Sequence, residues 1–415
     1  MKLMGLLKKL FALLSSYGLA ALLLVFLLLL TWLGTLEQVE FGLYETQKKY
    51  FESMVLIHEA GPFAVRLPWS DATKPLLTIP AFPVPLPGVY LLLALLVVNL
   101  VLGGIIRLRK DFSRAGILIA HLGILFMLAA GFVEFRWSHE GALQVFPQEK
   151  SRDYYSFHEW DITIRDADAA GRVREHVIPS EEWRDLAAGA THRFTHDALP
   201  FDLLVTKAFR NCRVVPQGPM FKGDGAVIDG YVVIDSKPEM EQEFNLPGAY
   251  LTVAEKATGR QTDAIVWGRQ RQPLTVEAGG KRWLIDLGKR RYELPFDIRL
   301  DKFIVEFHPG TSMARTYWSN ITKFDGGQET AMKITMNEPL RHQGYTLFQT
   351  NWGPQDGNID QPLYSVFTVV ENPSDQWPKW ACWVIAAGLS LHFCLRIKKY
   401  VAASRRPSPA ALAKS

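Results

Sequence analysis

Two histidines lie inside long apolar stretches of the chain, where an ionisable side chain is costly to keep. His121 occurs in the run AHLGIL, and His392 occurs in the run LHFC. An ionisable residue at membrane depth usually faces the protein interior and has a partner or a function. Neutral imidazole can coordinate a metal or a haem iron through a ring nitrogen. These two histidines are therefore the first candidates for chemistry.

The depth of both histidines follows from the basic residues that flank their segments. His121 is seven residues from Arg114, about 10 Å of helix rise, and His392 is four residues from Arg396, about 6 Å. Both thus lie in the same half of a bilayer. Two imidazoles at similar depth could hold one haem iron, or each could pair with a histidine of another subunit. The alternative is a neutral histidine hydrogen-bonded between helices.

The cysteines and the remaining histidines limit the kinds of chemistry that this chain could perform. Cys382 and Cys394 lie in an apolar stretch and leave Cys212 alone elsewhere, so no internal disulfide is expected. The sequence has neither CxxC nor CxxCH, which argues against thioredoxin-type redox chemistry and against covalent haem attachment to this chain. Surface or capping roles are expected for other histidines, namely His139, His192, His196, His308 and His342.

Four apolar stretches are long enough to cross a bilayer core. We assign transmembrane helices to residues 17–36, 88–106, 115–134 and 377–397. The first has an apolar core too long for a signal peptide and no small-x-small cleavage site after it, so we expect a retained anchor. Asn99, in the second stretch, is expected to bond neighbouring helices.

The distribution of lysine and arginine predicts the orientation of these helices. Residues 1–16, 107–114 and 396–415 hold thirteen Lys or Arg and one acid, whereas the rest of the chain has a net charge of −8. Basic segments beside membrane spans favour the cytoplasmic side, and charge divided in this way argues against a nucleic-acid partner. We therefore expect an N-terminus, a 107–114 loop and a 398–415 tail in the cytoplasm of a multi-pass inner (cytoplasmic) membrane protein whose surroundings are membrane lipid.

Residues 37–87 are then expected to form a first outer loop. Apolar positions at three- and four-residue spacing over 41–57 predict an amphipathic helix, lying at the interface or packed on the outer domain. The proline-rich segment 78–87 predicts extended chain, because proline is excluded from helix interiors.

A large extracytoplasmic domain is expected over residues 135–376, inserted between the third and fourth spans. Short runs that alternate apolar and polar residues, separated by glycine-rich turns, predict an all-β, sandwich-like domain of about a dozen strands. One helical interruption is expected near 180–188. The glycine-rich residues 222–226 lack the strand-to-helix context of a phosphate-binding loop and indicate a hairpin turn. No catalytic triad or carboxylate pair can be assembled from local spacing.

The chain resembles a known family, the ResB-like proteins of cytochrome c biogenesis (System II). The resemblance covers essentially the whole chain, with three spans, a large outer domain and a final span. The most specific residues are those of NEPL followed by GYTLFQ; shorter matches are GILIAHLGI in the third span and GLSLHF in the last. These runs occupy 337–340, 344–349, 116–124 and 388–393, with ENP at 371–373 before the membrane.

The resemblance implies a subunit of a synthase complex that carries or holds haem and presents it to apocytochrome c. Its family partner is a CcsA-like membrane protein with a tryptophan-rich haem motif, which this chain lacks. By position, His121 matches a histidine thought to help ligate haem non-covalently and transiently, and His392 matches one near the end of the last span. The haem could be shared with the partner. No acid, base or nucleophile is evident, so the chain is expected to be a non-catalytic subunit.

Two other functions are compatible with the residues. The first is a membrane-anchored adaptor with a protein-binding β-domain, no haem and structural histidines. The second is a b-type haem oxidoreductase subunit, which requires a haem site complete within this chain. Soret absorbance of the purified protein, alone and with its partner, distinguishes these functions.

Overall fold

The protein, seen in a computed structural model, folds as two compact units. The structure describes residues 2–61, 63–65, 77–169, 173–186, 190–218, 226–354 and 361–404. The first unit consists of Met1–Arg136 with Pro373–Ser415, and the second of Trp137–Asn372. Among the described residues, four helices are long and apolar enough to cross a membrane, as the sequence predicted. They are Tyr17–Phe51, Val89–Ile106, Phe112–Trp137 and Trp377–Val401.

Helices dominate the first unit. The helices of the chain are α1 (Lys2–Leu14), α2 (Tyr17–Thr46), α3 (Val89–Asn99), α4 (Ala115–Trp137), α5 (Ser180–Trp183, in the second unit) and α6 (Trp377–Ser404). Two π-helical segments extend α2 and α3, namely Gln47–Phe51 and Leu100–Ile106, and a 3₁₀ turn at Phe112–Arg114 leads into α4. Short strands join α2 to α3: β1 (Val55–Ala60), β2 (Phe63–Val65), β3 (Leu77–Ile79) and β4 (Phe82–Pro87).

Side chains of the second span hold the turn between α1 and α2. The Asn99 side-chain amide donates to the carbonyl oxygens of Leu14 at 2.7 Å and Ser16 at 3.0 Å. The Arg107 guanidinium donates to the Ser15 hydroxyl at 3.3 Å. The Leu14 carbonyl lies at the end of α1, where carbonyls lack intrahelical partners, so the Asn99 donor satisfies a group that would otherwise be orphaned. The helix-bonding role predicted for Asn99 is confirmed.

The segment 41–57 differs from the single amphipathic helix that its spacing predicted. Helix continues from α2 only as far as Phe51, and β1 then pairs antiparallel with β4, from Val55 opposite Pro87 to Ala60 opposite Phe82. The proline-rich segment is extended, as predicted, and its long-range pairing with β1 overrides the local helical spacing. Residues 62 and 66–76 lie outside the described part of the chain.

Helices α4 and α6 cross with their backbones in close approach. A Cβ atom on Gly116 would lie 2.5 Å from the Gly388 carbonyl oxygen and 2.5 Å from the His392 nitrogen. A Cβ on Gly388 would lie 2.5 Å from the Ala120 nitrogen, and one on Gly123 would lie 2.6 Å from a side-chain carbon of α6. Small residues at such spacing allow membrane helices to pack tightly, and here only glycine leaves enough room.

The other ends of these two helices also meet. The Ser374 hydroxyl, which is fully buried, donates to the Ala130 carbonyl at 2.9 Å. The Phe126 and Trp377 rings stack with centroids 5.5 Å apart. Contacts at both ends therefore fix α6 along the length of α4.

The second unit is β-rich and contains sixteen strands among its described residues, more than the dozen predicted. A ten-stranded antiparallel sheet has the order β17-β16-β15-β6-β5-β20-β19-β18, with β14 paired to β15 and β7 to β6. A four-stranded sheet has the order β13-β12-β9-β8, and β10 pairs with β11. The strands are β5 (His139–Val145), β6 (Lys150–Asp166), β7 (Glu175–Ile178), β8 (His192–Phe194), β9 (Phe201–Phe209), β10 (Cys212–Pro216), β11 (Tyr231–Asp235), β12 (Gly248–Glu255), β13 (Gln261–Trp267), β14 (Leu274–Ala278), β15 (Lys281–Phe307), β16 (Ala314–Asp325), β17 (Gln328–Thr335), β18 (Leu340–His342), β19 (Tyr345–Gly353) and β20 (Tyr364–Glu371).

Two separate hydrophobic cores stabilise this unit. One lies between the four-stranded sheet and the β6, β7, β14 and β15 part of the large sheet. The other is formed by the large sheet alone, from β5, β6 and β15–β20. The long strands β6 and β15 serve both, since Ile162 and Ile285 lie in the first core and Tyr154 and Ile298 in the second. Each fully buried large apolar side chain contributes roughly 1.5–3 kcal/mol.

The helix predicted near 180–188 is shorter in the structure. Helix α5 ends at Trp183, whose side chain is buried in the first core, and its first backbone N–H donates to Asp161 at 3.1 Å. The turn predicted at 222–226 falls almost entirely on residues outside the described part of the chain.

Candidate functional site

His121 is held by a backbone carbonyl of the second span. Its Nδ1 lies 3.0 Å from the carbonyl oxygen of Gly104, in the last turn of the π-helical segment that extends α3. A carbonyl oxygen can only accept, so Nδ1 carries the proton and donates it. In the neutral ring the lone pair is then on Nε2. In this tautomer Nε2 can act as a ligand, while the hydrogen bond from Nδ1 to the Gly104 carbonyl fixes the orientation of the ring.

The position of Gly104 explains this contact. Carbonyls in the last turn of a helix have no intrahelical partner, and the His121 N–H satisfies one of them. A Cβ atom on Gly104 would lie 2.7 Å from Nδ1 and 3.1 Å from Cε1 of the ring. Real Cβ atoms are not found so close to other heavy atoms, so the approach requires glycine. The ring is half-buried.

His392 has a different environment on α6. Its backbone packs on Gly116, and its ring meets Phe393 edge-on with centroids 5.8 Å apart. Among the described residues, its buried Nδ1 has no hydrogen-bond partner. A buried, unsatisfied polar group costs about 1–3 kcal/mol.

The two histidines lie on different sides of α4. The face of α4 that packs on α6 carries Gly116, Ala120 and Gly123. With a helix turning by about 100° per residue, His121 is displaced from the centre of that face by roughly 130°. His121 contacts the second span, whereas His392 lies where α4 and α6 cross. The contact of His121 and that of the His392 backbone thus fall on different faces of α4.

A polar network that the sequence did not reveal joins the end of the first span to β1. The Glu37 carboxylate accepts hydrogen bonds from Lys49 and from the Tyr50 hydroxyl. The Tyr50 side chain is fully buried, and its hydroxyl lies 2.5 Å from Nδ1 of His58. These residues are separated by eight to thirteen positions, so no local motif marks them. The only available signal was a carboxylate directly after an apolar run.

Electrostatic contacts in the second unit centre on Arg290. Its guanidinium binds Asp161 through two nitrogens at 2.9 Å each, and also contacts Glu159 at 3.0 Å and Glu181 at 2.7 Å. Burial alone would lower the arginine pKa, but hydrogen bonds to Asp161 and Glu181 raise it above its usual value. The Tyr292 pKa is raised by burial and by its 2.7 Å hydrogen bond to Glu159. The network thus joins β15, β6 and α5, with Asp161 buried and Glu181 exposed.

Three histidines of the second unit have local partners. His139 stacks on a tyrosine ring, and Nε2 of His342 lies 2.7 Å from Asp325. Nδ1 of His196 accepts the Ala198 N–H at 3.1 Å, within a turn. In the described part of the chain, no group of three or more His, Cys, Asp or Glu residues is placed to hold a metal ion.

Comparison with known proteins identifies similar sequences. The model of the ResB-like family matches residues 108–361, more than half of the chain. The chain is 30% identical over 108 residues to the cytochrome c biogenesis protein CcsB of a Picosynechococcus species, an alignment that covers 23% of each protein. It is 26% identical over 115 residues, 25% of each protein, to CcsB of a Nostoc species. The alignments thus span about a quarter of these curated relatives.

Proposed function

Because this chain belongs to the ResB-like family, we propose that it is a subunit of a haem-handling complex in cytochrome c biogenesis. Its cargo is haem, held non-covalently and passed on for attachment to apocytochrome c. The observation that carries the proposal is His121, an imidazole inside an apolar helix with its Nδ1 bonded to the Gly104 carbonyl. The chain acts as a haem-binding, non-catalytic subunit.

The residues around His121 suit a haem ligand. Ligating histidines commonly donate their second ring N–H to a carbonyl or carboxylate, which fixes the tautomer and orients the ring. The Gly104 carbonyl supplies this acceptor, and the surrounding α3 and α4 surfaces are apolar, as haem requires. Iron ligation also resolves the cost of leaving Nε2 unpaired in hydrocarbon. His121 would hold the iron, and the helices would exclude water from it.

In this proposal the second ligand of the haem iron does not come from α6 of the same chain. His121 lies roughly 130° from that face, and its ring is only half-buried. A membrane partner of the CcsA-like class can approach the open side and complete the site. His392, whose Nδ1 lacks a partner among the described residues, would contact that partner or a second haem position. We place the basic segments in the cytoplasm and the β-rich, sandwich-like unit outside, at the inner membrane.

Paired substitutions at one position test the ligation role. His121→Ala removes both the donor and the ligand, whereas His121→Gln keeps an N–H donor for the Gly104 carbonyl but removes the imidazole. We expect both variants to insert normally and to lose haem absorbance from the purified complex, together with cytochrome c maturation. Added imidazole should restore part of the haem content in His121→Ala, because it can occupy the vacated coordination position.

The control is His139→Ala, which removes an exposed histidine outside the apolar helices. It should keep its haem content. Normal haem content in His121→Gln would mean that hydrogen bonding alone explains the residue, and the adaptor function would then be the better account. Stoichiometric haem in the chain without any partner would instead favour a self-contained b-type site.

A further inference from the structure

Helix α1 exposes an apolar face along its whole length. Large apolar side chains that are exposed in the first unit include every one on α1 from Leu3 to Leu13: Leu3, Met4, Leu6, Leu7, Leu10, Phe11 and Leu13. With about 100° between successive residues, Leu3, Leu7, Leu10 and Leu14 fall within roughly 60° of each other. An apolar stripe of this kind is not left in water, so some surface covers it.

The position of α1 is fixed by its attachment. Only Ser15 and Ser16 separate it from α2, which begins at Tyr17. The same two residues are bonded to the second span, through Asn99 and through Arg107, which directly follows the last residue of that span. The first two membrane-crossing helices thus have ends close to the point where α1 ends and α2 begins. The C-terminal end of α1 therefore lies near the boundary between hydrocarbon and headgroups.

The charges on α1 are arranged opposite its apolar stripe. Lys8 and Lys9 lie on average about 180° from the leucine stripe, and their side chains are exposed. The sequence contains no acidic residue before Glu37, so these charges have no acidic neighbour along the chain. A short helix with an apolar face and a lysine face is typical of segments that lie in the plane of a membrane surface.

We propose that α1 lies on the bilayer surface, with its leucine stripe in the acyl boundary and Lys8 and Lys9 on anionic phospholipid headgroups. The tether explains why lipid is the occupant: α1 is joined at its C-terminal end to a membrane-crossing helix, so it meets lipid before any diffusing partner. The Asn99 and Arg107 contacts link this surface helix directly to the span that carries Gly104. The proposal does not depend on haem binding.

Spin labels on opposite faces of α1 test its placement in the full-length protein. Leu10→Cys labels the apolar stripe and Ala12→Cys the lysine face, in a background with the three native cysteines replaced. The protein is reconstituted into nanodiscs of phosphatidylcholine with phosphatidylglycerol. The label at 10 should be relaxed by oxygen and protected from a water-soluble nickel complex, and the label at 12 should show the reverse. Equal exposure of both labels to nickel would overturn the proposal.

Charge variants test the anionic headgroups. Each lysine near an anionic surface changes membrane association by roughly fivefold, so Lys8→Gln with Lys9→Gln should lower the ratio of embedded to free label about 25-fold. The matched control, Lys8→Arg with Lys9→Arg, should leave the ratio unchanged. Pure phosphatidylcholine nanodiscs should reproduce the glutamine result with the wild-type lysines. Spin–spin broadening at position 10 would show pairing with a second copy, and an unchanged ratio in the glutamine variant would exclude headgroup recognition; either refutes the proposal.

Discussion

Replacing Gly104 by alanine tests whether the orientation of His121, and not only its presence, is required. The new Cβ would lie 2.7 Å from Nδ1 and 3.1 Å from Cε1 of the imidazole. Both atoms belong to the His121 side chain, whereas the new Cβ is held by the backbone of the second span. The ring must therefore turn away, and its 3.0 Å hydrogen bond to the carbonyl is lost.

Opposing contributions decide the size of the effect on stability. Losing the hydrogen bond costs about 0.5–1.5 kcal/mol, and crowding in a packed region costs about 1–3 kcal/mol. Alanine regains up to about 1 kcal/mol of helix propensity relative to glycine. The net destabilisation should thus be about 0.5–3.5 kcal/mol, small enough for the helices to remain assembled. Loss of the partner behind a metal-ligating histidine typically lowers affinity by 10–100-fold, so we expect haem affinity to fall by about that factor.

The assay is haem titration of the purified complex, followed by optical absorbance and by the electron paramagnetic resonance of the oxidised iron. Gly104→Ala should weaken binding and shift the spectrum, whereas Gly131→Ala in α4, where a Cβ meets nothing within 4 Å, should change neither. Wild-type affinity and spectrum in Gly104→Ala would refute the reasoning.

Other predictions concern topology and the second unit. Reporter fusions after Arg109 and after Gly326 should report opposite compartments; a shared compartment would contradict the orientation drawn from the basic segments. Arg290→Ala leaves the buried Asp161 carboxylate unpaired and should lower the free energy of unfolding by about 3–5 kcal/mol, whereas the exposed Lys281→Ala should leave it nearly unchanged, measured by denaturant titration in detergent. The pKa of Asp297 is lowered by hydrogen bonds from Arg152 and Lys150. The ionised carboxylate therefore stabilises the folded protein above the ordinary carboxyl pKa of about 4, and this stabilisation is lost as the pH falls through the lower, folded-state pKa. Asp297→Asn should reduce the dependence of stability on pH in that acidic range, and an unchanged pH profile would contradict this.

Sequence alone determined the features that depend on local composition. The four membrane-crossing helices could be located because a run of about 20 apolar residues is visible in the sequence without any knowledge of tertiary contacts. The proline-rich segment 78–87 could only be extended, and alternation of apolar and polar residues identified the β-rich unit. His121 and His392 stood out for the same reason, since a charged or polar residue in an apolar run is conspicuous.

Contacts between distant residues were decided only by the tertiary structure. The segment 41–57 has helical spacing, but pairing with the proline-rich strand turns its end into β1, because long-range hydrogen bonds outweigh a weak local preference. Likewise, β6 and β15 each contribute side chains to both hydrophobic cores. The alternation of apolar and polar residues cannot show this, because it tells which face of a strand a residue lies on but not which sheet packs against that face.

The candidate site shows the same division. The sequence supplied the histidine at position 121 but not the Gly104 carbonyl behind it, because that contact joins two helices and depends on a glycine in the last turn of one of them. Nor could the sequence show that His121 and His392 lie on different sides of α4. That separation follows from the stripe of Gly116, Ala120 and Gly123, which determines the face of α4 that packs on α6. The sequence thus identifies the histidines, whereas the packing of the helices decides which way each of them faces.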